Sequence, residues 1–501
     1  MKHFQLKFLT DKLHVRWLQI LNEFEKLPHR TTAHLADITL STRRTIIKDL
    51  TDLRSYFDQS IQLLSSKTGY FFSIIDHSTY LDKKRQLIED EPLFLIFEHI
   101  FYDELYSIGE WSDKLHLSES TIVKYLKSTT ASLRPYNLRI QLDPVTLVGT
   151  EIDKRQFFCA FYYESEITPH TIFPSLNTQD AVMALTTLFK TESAQASSFG
   201  YFNYLLYITI ERNLLGFDIV LPQALKHLIK DQKQTFDLAA LNGIIQTYFD
   251  HSLTEDEAIY LFISITCRRK IRDSLMEEEF CRTYNMWPEI KEITQRVYQH
   301  IQSDSPDRHK DLILIESFFT VTKIRSLLAG SAISNIDDIN LYVEDKFPRE
   351  FDLINKFLVN DPLVKNIFPS RYLECISCNL TLHLEAIKEM HWGMPRTIAF
   401  VFEGNEYLCQ YIETWSNKYF GRFHKVHYPD SNQFGLDYIA ENGINLLVTN
   451  YPEYMNDFLS TIDCLLLKAI PDATDWNNLL NHINPKITRH TVLSNFGSSV
   501  E

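Results

Sequence analysis

Two short runs of this sequence carry side chains suited to gripping a polyanion. The first holds Arg43, Arg44, Thr45 and Lys48, and the second holds Ser118, Ser120, Thr121, Lys124, Tyr125 and Lys127. Guanidinium and ammonium groups neutralise phosphates, and hydroxyls donate to phosphate oxygens or base edges. Grouped on an exposed helix, such residues suit the DNA major groove. Neither run contains Asn or Gln, which favours phosphate and shape readout over base-edge readout.

The elements that must position these groups can be read from periodicity. Ile108, Trp111 and Leu115 form an apolar stripe on a short helix. Leu117 plugs the turn, and Ser118 is an N-cap whose oxygen can accept from an orphan amide. Ile122, Leu126 and Leu133 then face inward while the polar set faces out. Leu138, Ile140 and Leu142 alternate with Arg139, Gln141 and Asp143. The chain turns at Asp143-Pro144 and returns through Val145, Leu147 and Gly149, a hairpin the size of a wing. Upstream, the same order recurs. Leu13, Trp17, Leu21 and Phe24 mark a helix, residues 31–38 a short second one, Leu40 the turn, Ser41 the cap and Ile46, Leu50 and Leu53 the inner face of a second reader. A ribbon follows through 61–64 and 70–74. A repeated unit is strong organisational evidence, and it predicts tandem winged helix-turn-helix modules. A helix over 81–105 is expected to open the second module.

The chain has 501 residues, enough for several domains. Its net charge of −15 excludes a uniformly basic nucleic-acid coat. A local footprint survives: the first 80 residues hold 11 Lys and Arg against 8 Asp and Glu, an excess of three positive charges. No stretch reads as a secretory signal or a membrane span; the most apolar, 201–221, is interrupted by Glu211, Arg212, Asn213 and Asp218. Seven scattered Cys suit a reducing cytoplasm. Cys375 and Cys378 form a CxxC without a second pair or nearby His, so buried helical thiols are expected rather than a metal site.

From Glu151 to about Trp392 strand signals are almost absent, and helices are expected over 201–215, 238–249, 255–270, 290–302, 312–328 and 372–389. This region reads as two helical bundles joined near the acidic run Glu277-Glu278-Glu279. The last hundred residues alternate, with strands at 396–402, 424–428, 444–449 and 464–467 and helices at 407–419 and 434–442, which predicts a small parallel sheet. Its first turn carries Gly404 alone, without a phosphate-binding glycine motif.

With these residues in view, the chain resembles the Mga/AtxA family of Gram-positive virulence regulators, most specifically over Ile108-Gly109-Glu110 and Leu115 through Ile122. The resemblance implies a mostly α architecture. Its parts would be winged helix-turn-helix domains at 1–78 and 79–165, two all-helical domains at 166–282 and 283–392 like the regulation domains (PRDs) of the sugar phosphotransferase system, and an EIIB-like α/β domain at 393–501. It implies a cytoplasmic DNA-binding transcription regulator of virulence or carbohydrate-responsive genes, acting on promoter DNA as a homodimer or higher oligomer. A phosphotransferase-system phosphocarrier protein and RNA polymerase would be further partners, with no cofactor or metal.

The pattern departs in places. In the first helical half the matching helices, 204–212 and 260–264, carry leucine, tyrosine and serine where a phosphorylatable His is expected; in the second His383 occupies that point. The first loop of the α/β domain, Glu403-Gly404-Asn405, lacks the Cys that would carry phosphate, and Cys409 lies inside the following helix. That leaves the domain an association surface. The alternatives are a scaffold that does not bind DNA or a phosphotransferase-type signalling protein; GxSxG, HExxH and paired metal-ligand spacings are all missing from the sequence, so no enzyme is predicted.

Overall fold

Asp11, Thr31, Thr42, Asp76, Ser107, Ser118 and Thr150 each stand just before a helix, and each side chain accepts from an amide of the first turn. These caps satisfy donors that a helix N-terminus otherwise leaves open, and they punctuate the N-terminal part of a mostly helical chain. The structure, a computed structural model, describes residues 3–164, 172–188, 198–230, 237–268, 274–301, 307–392, 396–429, 434–458 and 462–483. It divides into two compact units, 1–384 and 385–501.

The first unit begins with two helix-turn-helix repeats. In the first, helices Lys12–Lys26, Thr32–Ile38 and Arg43–Phe57 precede a hairpin of strands Ile61–Ser66 and Gly69–Ile74. A short strand, His29–Arg30, pairs antiparallel along the outer side of the returning strand. Gly69 sits at φ +149°, and a Cβ there would lie 2.4 Å from the Arg30 carbonyl oxygen, so the close approach of that strand requires glycine. In the second repeat, helices Ile108–Leu115 and Glu119–Ser128 lead to strands Arg139–Leu142 and Val145–Val148. Alternation holds on both hairpins: Ile61, Leu63, Val145 and Leu147 are buried.

Two expectations are corrected, and a third gains a local description. The stretch 81–105 is two helices, His77–Gln86 and Pro92–Phe101. Pro92 has no N–H to donate and occupies the first turn of the second helix, where that loss costs nothing. Leu133 is buried but lies beyond the reader, on the separate turn Thr130–Leu133. The acidic run falls inside a helix rather than in a linker. Glu277 to Glu279 lie within helix Ser274–Tyr284, with Glu277 buried and accepting from the Ser317 hydroxyl on helix Arg308–Leu328.

One apolar core runs through this unit from Phe4 to Ile336. The N-terminal segment helps to knit it. Phe4 packs on Tyr136 at 5.9 Å between ring centroids, and Phe8 on Phe97 and Phe161 at 5.4 and 5.2 Å. The Phe4 amide donates to Asp338 at 3.2 Å, and Lys7 pairs with Asp337. Beside this segment the buried Glu91 accepts from the Thr10 amide at 2.7 Å.

Burial raises the Glu91 carboxyl to about 7. Between pH 4.5 and 7 the unfolded chain has released this proton while the folded chain retains it, so stability falls as pH rises through that window. Glu91→Gln keeps the acceptor for Thr10 and cannot ionise. At pH 8 it should therefore be more stable than wild type by roughly 3 kcal/mol, and at pH 4 the two should converge. Paired denaturant melts at both pH values check this; equal differences at both would remove the Glu91 assignment.

The second unit is a four-stranded parallel sheet, ordered Lys425–His427, Thr397–Val401, Leu446–Thr449, Asp463–Leu466. Alternate residues of its first strand face opposite ways: Ile398 and Phe400 pack with Phe420 and Leu479, whereas Ala399 and Val401 pack with Ile439 and Phe434. Helices Glu406–Phe420 and Ala473–Ile483 thus cover one face and Leu436–Asn442 the other. Burial on both faces explains why the strands read as continuous apolar runs.

Candidate nucleic-acid interface

Both readers begin with the same hydrogen-bond arrangement. Thr42 caps helix Arg43–Phe57, its hydroxyl oxygen 3.2 Å from the Thr45 amide and 2.9 Å from the Thr45 hydroxyl. Ser118 caps helix Glu119–Ser128, its oxygen 3.3 Å from the Thr121 amide and 2.7 Å from the Thr121 hydroxyl. The preceding turns match as well. Leu40 at φ +50° and His116 at φ +53° are left-handed. The next residue closes the turn in each case, Ser41 N to Ala36 O at 2.9 Å and Leu117 N to Ser112 O at 3.2 Å.

This shifts the expected register by one residue. Leu40 corresponds to His116, not to Leu117, and is 95% exposed rather than a plug. Ser41 corresponds to Leu117 and is not the cap; its hydroxyl donates to the Thr39 carbonyl. In the corrected register Thr45 matches Thr121, Ile46 matches Ile122, Lys48 matches Lys124 and Leu50 matches Leu126. The two isoleucines and two leucines are buried, and both lysines are exposed. A conserved inner face and a shared outer lysine are what two copies of one binding helix require.

The remaining site residues fall as follows. Arg43, Arg44, Ser118, Ser120 and Lys127 are exposed, and Thr45 and Thr121 are half-buried. Tyr125 does not stand free on the outer face; it is half-buried against the core, and its counterpart Asp49 is buried. Asp49 is held by Arg16, whose Nη2 donates at 2.9 Å, and by the Trp17 indole at 3.4 Å. That ion pair draws a carboxylate away from the Arg43, Arg44 and Lys48 surface, where it would repel phosphates. Ser118 serves first as a cap, and Ser120 lies 3.0 Å from it, hydroxyl to hydroxyl.

Sequence reasoning missed three residues. Thr42 carries the cap, and its signal was the Thr-x-x-Thr spacing repeated as Ser118-x-x-Thr121. Ile47 is exposed on the reader beside Lys48, an apolar group suited to a thymine methyl; only one of two successive isoleucines can face a core. Lys67 is exposed at the tip of the first hairpin, between the paired strands.

The other expected site residue, His383, lies far from these readers in sequence and inside the helical region. It is 8% exposed on helix Leu373–Trp392, with Nε2 2.9 Å from the Leu314 carbonyl oxygen and its ring 5.2 Å from Phe318. Cys375 and Cys378 share that helix, and burial pushes the Cys378 thiol up to about 12. In the α/β unit, the first loop is occupied by Glu403. Its backbone exchanges two 2.8 Å bonds with Asn450, and its carboxylate accepts from Tyr454 at 2.6 Å. Among the described residues no helix is long and apolar enough to cross a membrane.

Residues 81–162 match the model of the Mga helix-turn-helix domain. Over 483 residues the chain is 22% identical to the anthrax toxin expression trans-acting positive regulator of Bacillus anthracis, covering 94% of this chain and 98% of that protein. Over 271 residues it is 20% identical to the capsule synthesis positive regulator AcpB of Bacillus anthracis, covering 54% of this chain and 56% of that protein. The chain thus spans little more than half the length of this second relative. The protein is similar to Mga/AtxA-like virulence regulators, and its residues 81–162 are similar to their helix-turn-helix domain.

Proposed function

We propose that this protein is a transcription regulator that grips double-stranded promoter DNA with both reader helices. The observation that carries the reading is the twofold occurrence of one cap-and-reader arrangement with Lys48 and Lys124 exposed at matching positions. Arg43, Arg44 and Lys127 extend the cationic surface, and the hydroxyls of Thr45, Ser120 and Thr121 add donors. The names of the relatives favour control of virulence genes. A titration of the whole protein with duplex DNA across salt concentrations tests the reading. Affinity should fall linearly with the logarithm of salt, and no binding at low salt would end it in favour of a scaffold.

The finer reading places PRD-like regulation in residues 166–282 and 283–392 and an EIIB-like association surface in residues 393–501. Exposed Tyr407 and Tyr411, one turn apart on helix Glu406–Phe420, support self-association through the latter; sedimentation of the free and DNA-bound protein reads the copy number. His383 is the proposed phosphoacceptor, and a cytoplasmic phosphocarrier protein would be the donor. Its Nε2 already donates to the Leu314 carbonyl, so phosphorylation would pull helix Leu373–Trp392 from helix Arg308–Leu328 and convert a charge change into a packing change. Label from phosphoenolpyruvate, passed through such a phosphocarrier, should reach wild type and be absent from His383→Ala. Equal labelling of both would move the site elsewhere.

A further inference from the structure

A cavity of about 690 Å3 lies inside the first unit, where residues on helices Phe199–Leu214, Glu255–Thr266, Arg308–Leu328 and Leu373–Trp392 converge on Tyr136 and Gln156. Two cations line it, Arg268 and Arg325, against one lining carboxylate, Glu164. Glu164 is committed to Arg268 at 3.1 Å, and that guanidinium also lies 3.9 Å over the Tyr201 ring. Arg325 is different. Its Nη2 donates to the Cys267 carbonyl at 2.7 Å, and among the described residues no carboxylate forms an ion pair with it. Burial lowers its pKa, yet it keeps accessible surface, as expected of a cation that borders an internal space.

A second observation comes from a residue of the same wall. Ser264 lines the cavity, is 7% exposed, and its Oγ has no hydrogen-bond partner among the described residues. A buried hydroxyl left open costs free energy unless something occupies it. The other two buried serines on the wall are already engaged: Ser317 donates to Glu277 and Ser331 to Asp153. The open hydrogen-bonding capacity therefore rests with Ser264 and the unneutralised charge with Arg325.

We propose that this cavity binds a small molecule bearing a phosphate or carboxylate, with the oxyanion held by Arg325 and Ser264. An oxyanion supplies the charge that Arg325 lacks and accepts from both groups, and charge-assisted bonds of this kind are the strong ones. The space lies within the range of small-ligand sites and admits a body of hexose phosphate size. A neutral ligand would leave the guanidinium without a counter-charge.

Thermal melts of the full chain with inorganic phosphate, glucose 6-phosphate and citrate, against glucose and chloride at matched ionic strength, test the proposal. At least one oxyanion should raise the melting temperature saturably, by about 2 °C or more at large excess. Phosphate probes alone responding, or citrate alone, identifies which oxyanion the site takes. Arg325→Gln, which keeps a donor for the Cys267 carbonyl, should abolish the shift. Ser264→Leu should abolish it by filling the space, and this variant decides if Arg325→Gln fails to fold. No oxyanion exceeding its control, or an undiminished shift in both variants, overturns the proposal. The readout involves no DNA, so it stands apart from the duplex titration.

Discussion

Lys48→Ala and Lys124→Ala should weaken duplex binding to a similar extent, each by about tenfold at moderate salt. Each should also lower the slope of log affinity against log salt by about one. The expectation of equality comes from the corrected register. Both lysines lie six positions after a cap hydroxyl that engages the third residue of its helix, and both are exposed on a helix whose isoleucine–leucine face is buried. Combined, the substitutions should remove about two units of slope. Arg43→Ala with Arg44→Ala should act on the first module only, since Glu119 and Ser120 occupy those positions in the second. A steep loss for one lysine and none for the other would leave one helix-turn-helix as a packing element. Because all these side chains are exposed or at the rim, the variants should melt as wild type does.

Arg155→Ala should destabilise the first unit by about 3–5 kcal/mol, as should Glu257→Ala. Both side chains are fully buried, and Nη2 of Arg155 meets Glu257 at 2.9 Å while also donating to the Phe217 carbonyl at 2.8 Å. Burial opposes the charge on Arg155, but the Glu257 carboxylate outweighs it and holds the guanidinium above its usual pKa. Glu151 bridges to a second guanidinium, Arg212, at 2.8 and 2.9 Å, and Arg212 donates to the Phe101 carbonyl at 2.8 Å. The network thereby pins the helix that follows the second wing, Glu151–Phe158, to helices Phe199–Leu214 and Glu255–Thr266. Removing one partner strands the other in a low-dielectric interior. Arg155→Met with Glu257→Leu should therefore cost less than the sum of the two single alanine substitutions. Calorimetry of the four proteins measures this; strict additivity would mean the two charges act independently.

How far the sequence reveals this molecule depends on the range of the interaction. Hydroxyl caps, the alternation of both hairpins and the β–α alternation after residue 396 are local signals, and each corresponds to an element in the structure. The turn register is also local, yet it was misread. Leu40 and Leu117 share a side chain, whereas what aligns the turns is backbone handedness, carried by a leucine in one and a histidine in the other. Helix Asp337–Lys346 carries little periodicity in a short, charge-rich segment, whereas Pro348–Asn360 does show an apolar stripe, Phe351, Ile354 and Leu358, and was legible in the sequence. Helices Gln223–Lys230 and Pro452–Phe458 are about two turns long, too short for a periodic pattern to stand out even where one is present, as at Leu225, Leu228 and Ile229. Long-range partnerships are invisible in principle. Nothing near Arg325 indicates that the Cys267 carbonyl lies beside it or that Ser264 lines the same cavity, and nothing near Tyr125 shows that it leans on a core.

The aromatic segment around Phe4 and Phe8 bears on descent as well as on stability. Modules strung like beads can be exchanged between proteins by recombination, because each carries its whole interior with it. Here Phe4 and Phe8 lodge against Tyr136, Phe97, Phe157 and Phe161, while the Phe4 amide reaches Asp338. A foreign helix-turn-helix spliced in at the start would arrive without that plug and leave an open aromatic socket far along the chain. Exchange of the first module would therefore disturb packing as far along as Phe161 and Asp338, whereas substitution on the exposed reader faces would not.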